Sequence, residues 1–240
     1  MKRKDNRLLI LIGINLALLL IHITVIPQED KRVNLPAKAV EVTEKENSVQ
    51  GDKTQVKKKI ALTFDDGPHE KYTPMLLDGL KERKVSANFF ILGKNAERYP
   101  EIVKRMKEEG HIIGNHSYSH VQLNAMKEVE ACKEMTRANE VVEEITGEAP
   151  NYVRPPFGAW SKDLECITNM LVVLWDVDPL DWKCQNKDLV VKRVVSNVEE
   201  GDIILLHDSY QSTVDATFEI IDTLEKEGYE FVTLDEMILE

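Results

Sequence analysis

The sequence predicts an α/β fold: a parallel sheet covered by helices and closed, or nearly closed, into a barrel of about seven strands. Three observations predict it. From Lys59 onward, short apolar runs alternate with helical patterns, and regular alternation places parallel strands under helices. Proline and glycine punctuate the pattern: Pro100 opens a helical stretch after Tyr99, while Gly110, Gly147, Gly201 and Gly228 fall just past the ends of others. Most of the apolar runs also end in acids, histidines or an arginine, and a barrel opens the carboxyl ends of all its strands on one face.

The chain has 240 residues and a formal net charge of -11. That acidity excludes a nucleic-acid backbone as partner, because phosphate binding requires clustered Lys and Arg. Lys2, Arg3, Lys4 and Arg7 precede an uncharged run over residues 8–26, long enough to span a bilayer as a helix. The basic flank puts the amino terminus in the cytoplasm and everything downstream outside. A cleaved signal peptide is the competing reading, but the following V-I-P-Q-E-D lacks a small-x-small cleavage site. We therefore expect a basic end and transmembrane anchor over residues 1–26. Residues 27–58, polar and without sustained period, read as a flexible stalk, and residues 59–240 as one catalytic domain.

Within that domain, strands are expected near residues 60–64, 87–92, 112–114, 152–154, 171–175, 202–206 and 229–232. Helices are expected near 73–84, 100–109, 127–145, 161–169, 187–199 and 213–227. The three cysteines, Cys132, Cys166 and Cys184, show no C-x-x-C spacing. Buried free thiols are the expectation, with a Cys166–Cys184 bridge as the alternative.

The strand ends carry the chemistry. The first delivers Asp65 and Asp66, adjacent carboxylates that repel and so call for a positive partner, a metal or an arginine. Later ends supply Asn115, His116 and His120; Arg154 and Phe157; Asp176, Asp178, Asp181 and Trp182; then His207 and Asp208. The spacing of His116 and His120 would put both rings on one face of a helical turn, able to grip one ion. With a carboxylate this makes an open zinc-type site, although two His and one carboxylate also describe iron oxygenases. The second aspartate favours hydrolysis, which needs a base beside the metal. His69 follows a turn and His111 precedes a strand, so both read as structural.

Together Thr63-Phe64-Asp65-Asp66-Gly67, His116-Ser117-x-x-His120, Arg154-Pro155-Pro156-Phe157, Asp178-x-x-Asp181-Trp182 and Leu205-x-His207-Asp208 resemble, in order, the five motifs of the polysaccharide deacetylases. This is the family with the NodB homology domain, also called carbohydrate esterase family 4. The resemblance covers residues 59 to the end. It implies a distorted (β/α) barrel and metal-dependent removal of acetyl groups from N-acetylated sugars. It further implies Asp66, His116 and His120 as metal ligands, zinc first with cobalt or nickel as alternatives, and Asp65 as general base, aimed by Arg154. The backbone N–H at Phe157 would face the oxyanion. His207 would protonate the leaving amine, oriented by Asp181 rather than the weaker candidate Asp178, and Trp182 and Leu205 would enclose the acetyl methyl.

A domain held outside a membrane by such a stalk reaches on the order of 30 Å as a coil, which sets it against the cell wall. The expected substrate is peptidoglycan N-acetylglucosamine, ahead of N-acetylmuramic acid, exopolysaccharide and chitin oligomers, with the protein a monomer. The rivals are an O-acetyl esterase acting on a polysaccharide such as xylan, and a catalytically silent wall-binding or sporulation protein. A silent homologue would lack the base, a ligand or the acid, and here all three are in place.

Overall fold

A computed structural model of the chain describes residues 57–160 and 169–238. The expected anchor, nearly all of the stalk and most of the helix expected near residues 161–169 lie outside the described residues. Among the described residues no helix is long and apolar enough to cross a membrane.

The elements run β1 (Lys58–Asp65), α1 (Tyr72–Arg83), β2 (Asn88–Ile91), α2 (Gly93–Arg98), α3 (Pro100–Glu108), β3 (Ile112–Asn115) and α4 (Glu128–Thr146). There follow β4 (Tyr152–Val153), β5 (Leu171–Val172), α5 (Asp181–Cys184), α6 (Lys187–Val195), β6 (Ile203–His207), α7 (Gln211–Leu224), β7 (Tyr229–Phe231) and α8 (Leu234–Ile238). All strand pairs are parallel, in the order β5-β4-β3-β2-β1-β6, and β7 pairs with the start of β1. β1 is central and buried from Ile60 onward, which is why it reads as a continuous apolar run rather than an alternating one. Phe64 stacks on Phe89 of β2 at 5.2 Å between ring centroids, in a core that also takes Leu76 and Leu80 from α1 and Ile220, Ile221 and Leu224 from α7.

The sheet is curled but open, which corrects the expectation of a closed or nearly closed barrel. β5 is only two residues long, shorter than the run expected over 171–175. Where a further strand pairing would close the sheet against β6, the chain makes one bridge, Val177 to Ile204. The carbonyls of Val173 and Leu174 in this gap accept hydrogen bonds from the Arg154 side chain, from Nε at 3.2 Å and from Nη2 at 2.8 Å. A buried guanidinium thus satisfies backbone that strand pairing would otherwise satisfy.

Pro100 opens α3, and α4 ends at Gly147 with φ 79°, as the punctuation indicates. The short helices α2, α5 and α8 are absent from the sequence-based expectation, being too brief to show a helical period. One cysteine also departs from it. Cys184 is a free thiol, which removes the Cys166–Cys184 pairing, and Cys132 is disulfide-bonded rather than free.

His111 is 5% exposed, and its Nδ1 accepts the Ala87 N–H at 3.0 Å, a structural role as expected. Burial pushes its pKa down to about 4. A histidine held neutral in the fold takes up a proton more readily when unfolded, so stability falls as the pH drops from about 6.5 toward about 4. The expected loss is roughly 3 kcal/mol at most. Urea unfolding of the wild type and of His111→Gln, whose amide oxygen can still accept from Ala87, should show the steeper acid loss in the wild type; equal slopes would contradict it.

Candidate active site

The first two strands of the site are set by register. β1 and β6 pair Asp65 directly with His207, so an acid and a histidine sit side by side at the open end of the sheet. Asp65 is 3% exposed and takes Arg154 Nη1 on Oδ1 at 2.8 Å. The same nitrogen donates to Thr63 Oγ1 at 2.7 Å, and the Arg154 guanidinium lies over the Phe90 ring at 4.2 Å. With five donors fixed in a plane, arginine serves the carboxylate, a hydroxyl and two carbonyls at once.

Asp66 comes next on the chain, and in an extended strand it would face away from Asp65. Its backbone instead turns into the left-handed region, φ 73°. Asn95 Nδ2 holds the Asp66 carbonyl at 2.7 Å, and the Leu92 N–H holds that of Gly67 at 3.0 Å. The turn brings the Asp66 carboxylate to His120 Nε2 at 3.3 Å and to His116 Nε2 at 3.5 Å.

The two histidines do not share a helical turn, which corrects that expectation. Residues 116–120 form a loop in which Ser117 and His120 have φ of 65° and 63°. Asn115 Oδ1 accepts the Ser117 N–H at 2.7 Å, and Ser117 Oγ accepts the His120 N–H at 3.0 Å. These local side-chain bonds replace helical backbone pairing, and the rings still converge, with centroids 5.1 Å apart. His116 Nδ1 donates to the Arg154 carbonyl at 2.7 Å, which leaves the Nε2 lone pair facing Asp66. Burial lowers the pKa of His120, favouring the neutral ring that a metal requires.

Asp66, His116 and His120 place one donor atom each within 4.8 Å of one another. Asp66 Oδ1 is buried and accepts no hydrogen bond, an orphaned anion of the kind a cation explains. The residues therefore fit a divalent metal.

On β6, beside Asp65, His207 Nδ1 donates to Asp181 Oδ1 at 2.9 Å. The other carboxylate oxygen of Asp181 accepts from the His207 N–H and from Thr213 Oγ1, both at 2.8 Å. Burial opposes charge on the ring, but the hydrogen bond and charge of Asp181, joined by Asp65 and Asp66, raise its pKa to about 9. Asp178 spends Oδ1 on the N–H of Leu180 at 2.8 Å and shapes the turn into α5 rather than holding the histidine.

A cavity of about 410 Å³ joins these groups, lined by Asp65, Asp66, His116, His120, His207, Phe157, Asp178, Trp182 and Leu205. Arg154 and Asp181 stand behind it, wholly buried. Phe157, at φ 62°, turns its ring edge onto His120 at 4.7 Å. His69 is outside the cluster; its Nδ1 accepts the N–H groups of Lys71 and Tyr72 at the start of α1. Trp175 and Tyr210 also line the cavity, and sequence reasoning gave neither a role. Their signal was position alone, beside Asp176 and just after His207-Asp208 at strand ends.

Residues 52–171 match the polysaccharide deacetylase family. The chain belongs to that family. Peptidoglycan-N-acetylmuramic acid deacetylase PdaC of Bacillus subtilis is 44% identical over 180 residues, covering 75% of this chain and 38% of that protein. A peptidoglycan-N-acetylglucosamine deacetylase of Bacillus cereus is 43% identical over 188 residues, covering 75% of this chain and 68% of that protein. A solved structure of the B. subtilis PdaC superposes with a TM-score of 0.73 at 44% identity, covering 76% of this chain and 90% of that one. The alignment thus takes in well under half of one relative and about two thirds of another.

The buried pair gives a stability test. Arg154→Ala strands the Asp65 carboxylate without its partner and should cost about 3–5 kcal/mol in denaturant unfolding. A loss under about 1 kcal/mol, the range of an exposed pair, would show that the guanidinium is not what holds this end of the sheet.

Proposed function

We propose that this chain hydrolyses the N-acetyl group of N-acetylglucosamine residues in peptidoglycan and releases acetate, using a divalent metal, zinc in the first instance. The observation that carries this reading is the placing of two differently charged devices on one cavity: Asp65 on Arg154 beside the Asp66–His116–His120 cluster, and His207 on Asp181.

Asp66, His116 and His120 would hold the metal. When bound, it would polarise the amide carbonyl and acidify water. Asp65, fixed by Arg154, accepts the proton of the attacking water as general base. Negative charge developing on the carbonyl oxygen is met in part by the backbone N–H of Phe157 on the cavity wall. His207, kept charged by Asp181, gives its proton to the departing amine, which is a poor leaving group until protonated. Trp182 and Leu205 enclose the acetyl methyl, Leu205 from β6 and Trp182 from α5.

The basic residues at the start and the uncharged run over residues 8–26 support a single-pass anchor that leaves the domain outside the membrane, facing the wall. Relatives of similar identity carry names for both wall sugars, so the sugar has to be decided by products. Acetate release from purified peptidoglycan, chitin oligomers and acetyl-xylan, with mass spectrometry of the peptidoglycan fragments, should show glucosamine as the deacetylated sugar. Muramic acid alone would reassign the substrate, and release from xylan alone would favour the esterase.

Chelation should abolish acetate release and added zinc should restore it, while Asp65→Asn and His207→Ala should each lower kcat about 10²- to 10⁴-fold. Retention of most of the rate in both variants would contradict the acid–base assignment. Because the acid must be protonated, kcat should fall as pH rises above the His207 pKa, which, despite burial, the hydrogen bond and charge of Asp181 hold above the ordinary histidine value. Asp181→Asn should move that limb to lower pH; a limb that does not move would remove His207 from the role.

A further inference from the structure

The ligand turn is supported from below by a residue that takes no part in the proposed chemistry. Asp208 follows His207 at the end of β6, is wholly buried and does not line the cavity. Its Oδ2 accepts the Thr73 hydroxyl at 2.5 Å, and its Oδ1 is buried without a hydrogen-bond partner. Both oxygens press against Gly67: a Cβ on that residue would lie 2.5 Å from Oδ2 and 2.6 Å from Oδ1. Gly67 is not among the residues of positive φ, so glycine stands there for room and not for backbone freedom. Any side chain would meet the carboxylate.

Thr73 links the same carboxylate to the chain after the turn, since its Oγ1 accepts the His69 N–H at 2.7 Å. Residues 66–69 are thus held by Asp208 and Thr73, and by Asn95 on the Asp66 carbonyl and Leu92 on the Gly67 carbonyl. Asp66 itself sits at φ 73°, a conformation unfavourable for a non-glycine residue that persists where the surroundings enforce it. The carboxylate faces His116 and His120 only while that turn keeps its place.

We infer that Asp208, acting through Thr73 and its close contact with Gly67, is a positioning residue for Asp66 and so sets how tightly the site holds its metal. The inference rests on the metal-site reading above. Ligand-orienting groups of this kind typically change metal affinity about 10- to 100-fold when removed, and they do so without touching the ion.

The test is zinc affinity, measured by competition with a chromogenic chelator, alongside thermal unfolding of the zinc-free protein. Thr73→Val should weaken zinc binding about 10- to 100-fold, and Thr73→Ser, which keeps the hydroxyl, should bind as the wild type does. Gly67→Ala should weaken it comparably, and Asp208→Ala, which removes the carboxylate that Thr73 and Gly67 meet, should weaken it as well. A merely structural contact predicts lower unfolding temperatures in these variants with zinc affinity unchanged. Wild-type zinc affinity in both Thr73→Val and Gly67→Ala, whatever their unfolding temperatures, would overturn the inference. If Asp208→Ala fails to fold, the Thr73 pair decides alone. His120→Ala is the control for the site itself: undiminished zinc binding there would overturn the metal assignment, a different failure from that of the turn.

Discussion

One buried ion pair ties the sheet to the site. Arg154 Nη1 meets Asp65 at 2.8 Å in a pair whose side chains are 0% and 4% exposed. Removing two such charges from water costs several kcal/mol each, so the pair persists only because every part of the guanidinium is engaged. Thr63 takes one bond, and the carbonyls of Val173 and Leu174 take two more where the sheet stops short of closing. The gap in the sheet and the placing of the Asp65 carboxylate therefore both involve Arg154. A closed sheet would leave those carbonyls with strand partners and the arginine with two fewer acceptors.

The rest of the site follows from placing unlike charges around Asp65. Asp65, Asp66 and Asp181 all act on His207, and Arg154 and His207 answer two of them. The third, Asp66, keeps a buried oxygen with no partner, flanked by two imidazoles whose Nε2 atoms face it. The same geometry keeps Asp65 and His207 chemically distinct. Asp65 is an acceptor pinned by a permanent cation, while the pKa of His207 is lifted to about 9 by its own acid. Groups held apart in this way can take one proton and give another across a single amide bond.

The site was more legible in the sequence than its local geometry. Apolar runs ending in Asp65-Asp66, His116, Arg154 and His207 located the carboxyl face, because a buried parallel strand leaves a strong hydrophobic trace and its end is where polar residues resume. The His116–His120 spacing was misread as helical, since residues four apart converge both on a helix and in a loop bent by left-handed residues at Ser117 and His120. Only the caps from Asn115 and Ser117 distinguish the two, and such caps are common in loops of many shapes. The open edge was illegible because it depends on a side chain, Arg154, satisfying backbone far away in sequence. The Cys132 disulfide left no spacing signal. Trp175 and Tyr210 looked like a strand residue and a loop aromatic, and only the folded cavity shows what they line.

The central claim is that Asp66, His116 and His120 form a metal site served by Asp65 and His207. X-ray diffraction from crystals of the zinc-soaked protein, with data on both sides of the zinc absorption edge, tests it most directly. The zinc-soaked crystals should show one strong anomalous peak within coordinating distance of all three side chains, about 2.0–2.2 Å from His nitrogen and carboxylate oxygen. A peak that excludes Asp66 or either histidine, or no peak at this site, would contradict it.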